Sequence, residues 1–403
     1  MIKLTAISVC GNSLKYEYTN DPRLDRFFNK DIPFFVEFQD VSVDFADVPN
    51  SILSVPFVAN LLPLAWLFNI TIEVDELDES FYQSIEQIKW GFKRIYPEVI
   101  FSGAVSANKI INNSYINSNN TVCLFSGGVD AMYTLLKHRQ ERPTLINVWG
   151  VDISFDDLQG HAEVERHNKK VAESFQCRYI CVKSSLRSFL NEQFLNQESY
   201  RILEDYWWHG AQHSIGLLSI LAPYNYIMKT RTNYIASSFT EKELQMGVKC
   251  VSFPVIDEAY RVADTRVCHD GFEANRSMKI QYICDVYKYD NLSLELKVCF
   301  QFKNGKNCSC CEKCYRTMMD ILVFDNQLGK YGFSSISSNA SEIRAFLDTS
   351  EVKLYNWLPI QESYRNHPEN DKLKWFADYK INSFKSMRSK IRRLGIRIRK
   401  WVK

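Results

Sequence analysis

Five of the chain's twelve cysteines fall between positions 299 and 314. Four of them, Cys299, Cys308, Cys311 and Cys314, have the spacing C-x8-C-x2-C-x2-C. Four thiolates at such spacing suit a closed tetrahedral zinc site, with Zn–S bonds of about 2.3 Å and no position open to water. The C-x2-C-x2-C run on its own also suits an iron–sulfur cluster, and Cys310 is a fifth thiol inside it. In a chain of 403 residues this clustering points to metal binding rather than a disulfide framework.

A second stretch suited to chemistry is Leu124-Phe125-Ser126-Gly127-Gly128-Val129-Asp130. An apolar run, residues 121–125, leads straight into Ser-Gly-Gly. A helical pattern follows, with Met132, Leu135 and Leu136 on one face. A strand that turns through two glycines into a helix start is a phosphate-binding device: its N–H groups point outward and the helix dipole favours an anion. The Walker pattern Gly-x-x-x-x-Gly-Lys-Ser/Thr is absent, and the shorter loop suits a pyrophosphate rather than a wrapped triphosphate. Ser126 and the amides after it can hold the β- and γ-phosphates of ATP. Asp130, in the first helical turn, can bind Mg²⁺ or order the loop. The same residues also fit a plain strand–helix turn. Ala131 stands where a second hydroxyl would serve, which removes one hydrogen bond to a charged phosphate, on the order of 1.5–3 kcal/mol.

Further along, "VSFPVIDEAYR" carries Ser252, Pro254 and Asp257. In "HDGFEANRSMK", Glu273, Arg276 and Lys279 recur at i+3, so they are expected on one helix face. Arg276 or Lys279 can reach an ATP phosphate or a substrate carboxylate; equally, the face is an ion-paired surface with Asp270 as its cap. His209 and His213 lie one helical turn apart with no third metal ligand evident, and Gly210 between them permits close approach.

These residues need a scaffold. Strands are expected at 121–125, 145–151, 179–182 and 234–238, with helices at 129–139, 162–175 and 208–221 between them. Such alternation predicts an α/β fold with a doubly wound parallel sheet, whose ligands sit beyond the carboxyl ends of the strands. Before it, "FFVEFQDVSVDF" reads as strand, and Phe81, Ile85, Ile88, Phe92 and Ile95 mark a helix. The expected domains are an N-terminal α+β domain at 1–115, an ATP-binding domain at 116–250, a substrate and zinc-binding region at 251–345, and a basic helical tail at 346–403. The tail has nine Lys/Arg and no acid from Ser383 onward, with Phe384, Met387, Ile391, Leu394, Ile398 and Trp401 as an apolar stripe. It suits tRNA, an anionic surface, an acidic partner or its own domain.

Charged residues are 24% and hydrophobic residues 46%, ordinary for a globular protein, and a net charge of +2 argues against coating nucleic acid over the whole surface. The opening residues lack a basic start followed by an apolar run, and no segment reaches the roughly 20 apolar residues of a membrane span. A cytoplasmic protein with no transmembrane segment is expected.

The strand plus "SGGVD" resembles the PP-loop, or N-type ATP pyrophosphatase, superfamily, and the downstream cysteine spacing resembles its 7-cyano-7-deazaguanine synthase (QueC-like) branch. The resemblance covers about 120 to 325. It implies an adenine nucleotide α-hydrolase-like sheet, ATP with Mg²⁺, and a structural zinc on Cys299, Cys308, Cys311 and Cys314. The implied reaction is adenylation of a 7-deazaguanine carboxylate with loss of pyrophosphate, then attack by ammonia to give an amide and, after a second activation, a nitrile, as in queuosine biosynthesis. Three departures stand out. The family's last loop serine is Ala131. Its Gly-Tyr-Pro-Asp-Cys-Arg stretch is replaced by "VSFPVIDEAYR", which keeps Ser252, Pro254 and Asp257. The N-terminal domain and basic tail are additions. The longer build is similar to QueC-like proteins of anti-phage systems (QatC and type IV CBASS), for which the implied acceptor is an amine on a partner protein. A tRNA-thiolation enzyme of the same superfamily, or a non-catalytic nucleotide-binding defence subunit, are the alternatives.

Overall fold

The computed structural model describes residues 1–39, 41–299, 305–337 and 340–381. The apolar stripe and basic residues expected from Ser383 onward lie outside them. The chain divides into two compact units, Met1–Glu273 and Ala274–Lys403.

The first unit is an α/β fold built on one ten-stranded sheet, in the order β10-β9-β6-β7-β8-β3-β2-β1-β4-β5. Its strands are β1 Ile2–Cys10, β2 Ser13–Asn20, β3 Phe34–Gln39, β4 Thr71–Asp78 and β5 Ala104–Ile111, then β6 Thr121–Leu124, β7 Thr144–Trp149, β8 Tyr179–Ser184, β9 Thr232–Ala236 and β10 Arg266–Asp270. Six neighbouring pairs are parallel and three, β8–β3, β3–β2 and β2–β1, are antiparallel. The parallel strands β6 to β9 are largely apolar runs with both faces covered, whereas β1 and β2 alternate buried and exposed residues, as a half-solvated antiparallel pair should.

The four strands expected after residue 120 are all present, as are helices Val129–His138, Leu158–Ser174 and, after a π-turn at Trp208–Gln212, His213–Ser219. Among the described residues of "FFVEFQDVSVDF" only the first half pairs, as β3. Pairing of β3 with β8 carries the sheet across the Asn-rich break at 111–120. β10 was not anticipated: "RVCHD" is short and led into a polar segment, but it hydrogen-bonds along β9 over five residues.

Chain order around β6 sets the position of the loop. From β6 the chain adds β7 and β8 on one side, then returns to add β9 and β10 on the other. Strand order therefore reverses at β6. A crevice opens where the connections from two adjacent strands leave in opposite directions, beyond their carboxyl ends.

Helix Glu79–Ile95 buries Phe81, Ile85, Ile88, Phe92 and Ile95, the stripe its sequence spacing predicts. The stretch Asn50–Phe68 has a mean hydropathy of 1.8 and is long enough to cross a membrane, but 89% of it is buried inside the fold. It is apolar all round because protein surrounds it on all sides.

Asp78 joins three parts of this unit. Fully buried, it caps helix Glu79–Ile95 through the Phe81 N–H at 3.0 Å, accepts from Asn113 Nδ2 at 3.0 Å, and accepts the Ala263 N–H at 3.0 Å. Asp78→Ala leaves these donors unpaired in the interior. A stability loss of about 3 kcal/mol is expected from urea unfolding, with a smaller loss for Asp78→Asn, which keeps an acceptor oxygen.

The second unit is mostly helical among the described residues: Arg276–Tyr289, Glu312–Phe324, Ser341–Thr349 and Leu354–Asn366. The first is capped by Asn275, whose side chain accepts the Met278 N–H.

Candidate functional site

Beyond β6, Phe125 is buried and Ser126 exposed. Gly127 takes φ +76°. A Cβ there would lie 3.0 Å from Asn168 Oδ1 and 3.0 Å from the His167 ring, so any other residue would have to push those side chains aside as well as adopt a left-handed φ. Gly128 is the N-cap of helix Val129–His138 and supplies no side chain to the first N–H groups. Its own N–H points to Ser126 Oγ at 3.4 Å. The helix start thus has no side-chain cap, with Val129 buried, Asp130 in the first turn and Ala131 facing inward.

His167 and Asn168 were not singled out from sequence. The signal was there: they occupy core positions in the stripe Val164, His167, Asn168, Val171, Ala172. A polar residue at an apolar position asks for a partner. The Asn168 amide is fully buried and has no hydrogen-bond partner among the described residues.

Helix Val129–His138 is pinned at its far end. Asp270, closing β10, accepts from Thr134 Oγ1 at 2.9 Å, from Lys137 Nζ at 2.9 Å and pairs with His138 Nε2 at 3.1 Å. His138 also stacks on Tyr234 of β9, centroids 3.9 Å apart. Burial pushes the Asp270 carboxyl up, but His138, Lys137 and Thr134 outweigh it and hold it at about 2. Asp270 is therefore a strand-to-helix tie, not the cap of the next helix, which begins at Arg276. Glu273 precedes that helix and bonds Lys137 and Tyr133 instead.

The opposite face of β10 carries His269. Sheet register puts it level with Ile235, and so with Leu124, two strand spacings or about 10 Å from β6. Its Nδ1 lies 2.7 Å from Asp257 Oδ2, which also accepts from Ser252 Oγ at 2.9 Å. Ser252 and Asp257 are thus brought together, with Pro254 opening the short helix Pro254–Asp257 between them. The His269 and Asp257 side chains have no solvent exposure, yet His269 Nε2, Asp257 Oδ1 and the nearby His213 Nδ1 have no partner among the described residues. Burial holds His213 below its ordinary pKa.

In the second unit, the Sγ atoms of Cys299, Cys308, Cys311 and Cys314 all lie within 4.8 Å of one another, close enough to hold a metal ion. Cys299–Cys311 is 3.8 Å and Cys308–Cys314 is 3.9 Å. A tetrahedron with ~2.3 Å metal–sulfur bonds has edges of ~3.8 Å, so the donor set fits zinc. Ser309 turns with φ +54°, which lets the Cys311 N–H approach Cys308 Sγ at 3.3 Å. Burial pushes the Cys308 thiol up, but the Cys310 and Cys311 N–H groups and the Cys299 thiol outweigh it and hold it at about 6. Cys310, the fifth thiol, is exposed and outside the set.

Arg276 and Lys279 both lie on helix Arg276–Tyr289. Arg276 donates to Thr317 Oγ1 at 3.2 Å, and Lys279 is buried. Beside them Ser277 donates to Asp320, a fully buried carboxyl. Burial raises Asp320 to about 7 despite Ser277, Arg276 and Arg316.

No protein-family model, curated protein or solved structure matches the chain.

The Asp320 carboxyl has a folded-state pKa above its unfolded value near 3.9, so the folded state binds the extra proton. Its favourable contribution is intact below about pH 4 and is lost as pH rises toward 7. Asp320→Asn keeps an acceptor for Ser277 and removes the charge. It should match wild type in thermal melting near pH 4 and exceed it at pH 8, by on the order of 3 kcal/mol.

Proposed function

We propose that the chain is an ATP-dependent ligase that adenylates a carboxylate, releasing pyrophosphate, with a 7-deazaguanine carboxylate as substrate and an amine, ammonia or one on a partner protein, as acceptor. One observation carries this reading: the Ser-Gly-Gly turn follows β6, the strand at which sheet order reverses, and opens an uncapped helix start there. A nucleotide's phosphates fit such a place. Ser126 and the N–H groups of Gly127, Gly128 and Val129 would hold the leaving pyrophosphate, with Leu124 and Phe125 fixing the strand end. Asp130 would hold Mg²⁺ against it. The sheet half β10-β9-β6-β7-β8 corresponds on this reading to the adenine nucleotide α-hydrolase-like fold.

Ser252, Asp257 and His269 form the wall for the substrate. A carboxylate accepts paired N–H donors, as the guanine edge of a deazaguanine presents, and Asp257 Oδ1 retains accepting capacity. Arg276 and Lys279, the cations expected from sequence to meet phosphate or carboxylate, belong to the second unit, where Arg276 donates to Thr317 and Lys279 is buried. The four cysteines would hold a structural zinc, which supplies folding free energy and has no open position for substrate. The protein would work in the cytoplasm, and the reaction needs no redox partner, because adenylation transfers no electrons. A role in anti-phage defence accords with the additions at both ends of the QueC-like core.

The nucleotide half is tested by pyrophosphate release with ATP, Mg²⁺ and 7-carboxy-7-deazaguanine. Gly127→Ala and Asp130→Ala should each lower it by at least about a hundredfold with melting temperature nearly unchanged for Asp130→Ala. Full activity in Asp130→Ala would remove the loop from the chemistry, and no release by wild type would leave a nucleotide-binding scaffold.

The metal is tested by elemental analysis of protein purified without added zinc. One zinc per chain and no iron or sulfide is the expected result. Cys308→Ser should lose the metal and lower the stability of the second unit, because metal binding there is part of its folding.

A further inference from the structure

Asn168 is fully buried, and neither Oδ1 nor Nδ2 of its carboxamide has a partner among the described residues. A buried carboxamide with both ends unpaired destabilises a fold, so it persists where a further partner is due. Its place narrows what that partner is. Outside its own helix it abuts Gly127, where a Cβ would come to 3.0 Å from Asn168 Oδ1. The His167 ring borders the same gap at 3.0 Å. Glycine, with no Cβ and a φ of +76°, leaves the carboxamide against the bare backbone of the turn.

The helix that carries Asn168 is held in place. Asp157 caps it through the Gly160 N–H at 2.8 Å. His161 lies flat on Trp149 of β7, with ring centroids 3.8 Å apart and planes within 3°. Trp149 Nε1 in turn donates to the Ser154 carbonyl at 3.2 Å. Asn168 follows His161 by two helical turns, about 10.5 Å along the axis, on the buried face with Val164 and Val171. A rigid element thus delivers the carboxamide to the turn, and little side-chain freedom remains to be lost when a ligand binds.

We propose that Asn168 positions phosphate: across the side of Gly127 that lacks a Cβ, its Nδ2 donates to an oxygen of a phosphate seated on the N–H groups of the Ser126–Val129 turn. Two independent observations meet here. The ten-residue helix Val129–His138 starts without a side-chain cap, which favours an anion. The carboxamide that abuts the turn is buried and unpaired. Phosphate oxygens only accept, and Nδ2 carries two donor hydrogens. A hydrogen bond to a charged oxygen is stronger than one between neutral groups. Because the carboxamide is neutral, the phosphate keeps its charge for Mg²⁺. The inference rests on the phosphate half of the proposed function, and on neither the deazaguanine nor the acceptor.

The test uses the full chain with Mg²⁺ and titrates inorganic pyrophosphate, and separately ATP, by calorimetry. Asn168→Leu keeps the number of heavy atoms and removes both polar ends. It should weaken pyrophosphate binding at least about tenfold, the loss of one hydrogen bond to a charged oxygen. The melting temperature of the unliganded protein should hold or rise, because an unpaired buried carboxamide is gone. An asparagine with a merely structural role would do the opposite, with a lower melting temperature and unchanged binding. Asn168→Asp, which offers phosphate a carboxylate and no donor, should weaken binding further. In isotope-labelled protein, the NMR signal of the Asn168 side-chain NH₂, identified by its loss in Asn168→Leu, should shift as pyrophosphate saturates. Unchanged dissociation constants in both variants, or an unmoved Asn168 signal, would overturn the inference, as would a wild type that binds neither pyrophosphate nor ATP. Pyrophosphate release, assayed alongside, separates the two readings. Release by wild type with unaltered binding in Asn168→Leu removes Asn168 alone, and binding without release removes adenylation alone.

Discussion

The reversal of strand order at β6 is the constraint on which the first unit depends. A parallel strand cannot turn back on its neighbour, so each added strand needs a crossover over one face. Adding β7 and β8 to one side and β9 and β10 to the other leaves the end of β6 without a connection crossing above it. The chain spends this opening on a Ser-Gly-Gly turn rather than a side-chain cap. An uncapped helix start has unsatisfied N–H groups, and these are tolerated where solvent or an anion reaches them.

Keeping that end open requires that the helix be held elsewhere. Asp270 does this from β10, gathering Thr134, Lys137 and His138 on the last two turns of helix Val129–His138. Lys137 and His138 sit where the helix dipole is negative, and Asp270 balances their charge. The next residue back on the strand, His269, points to the other face and meets Asp257. Adjacent residues of one five-residue strand thus secure helix Val129–His138 on one face and a buried polar cluster on the other, because side chains alternate along a strand.

Much of this was legible where one local pattern decides the outcome. The runs that became β6 to β9 are largely apolar and alternate with strongly patterned helices, and the cysteine spacing matches four sulfurs that lie together. What stayed hidden depends on partners distant in sequence. β10 is five residues with a charged start and end, and only pairing with β9 makes it a strand. Glu273 reads at i+3 from Arg276, but Asn275 starts the helix later, because its side chain reaches the Met278 N–H. Ser252 and His269 are seventeen residues apart and meet only on Asp257.

Several buried polar atoms have no partner among the described residues. A fold that left donors and acceptors unpaired at random would lose about 1–3 kcal/mol for each. The unpaired atoms include those of Asn168, against the Gly127 turn, and His213 Nδ1, Asp257 Oδ1 and His269 Nε2. Asp257 is paired through its other oxygen, with Ser252 and His269 both on Oδ2. Half-satisfied groups fixed in position by their other half are pre-oriented for a polar ligand, since little side-chain freedom remains to be lost when it binds. Asn168 and the uncapped helix start therefore meet at the end of β6, where the sheet's own connectivity leaves no crossover.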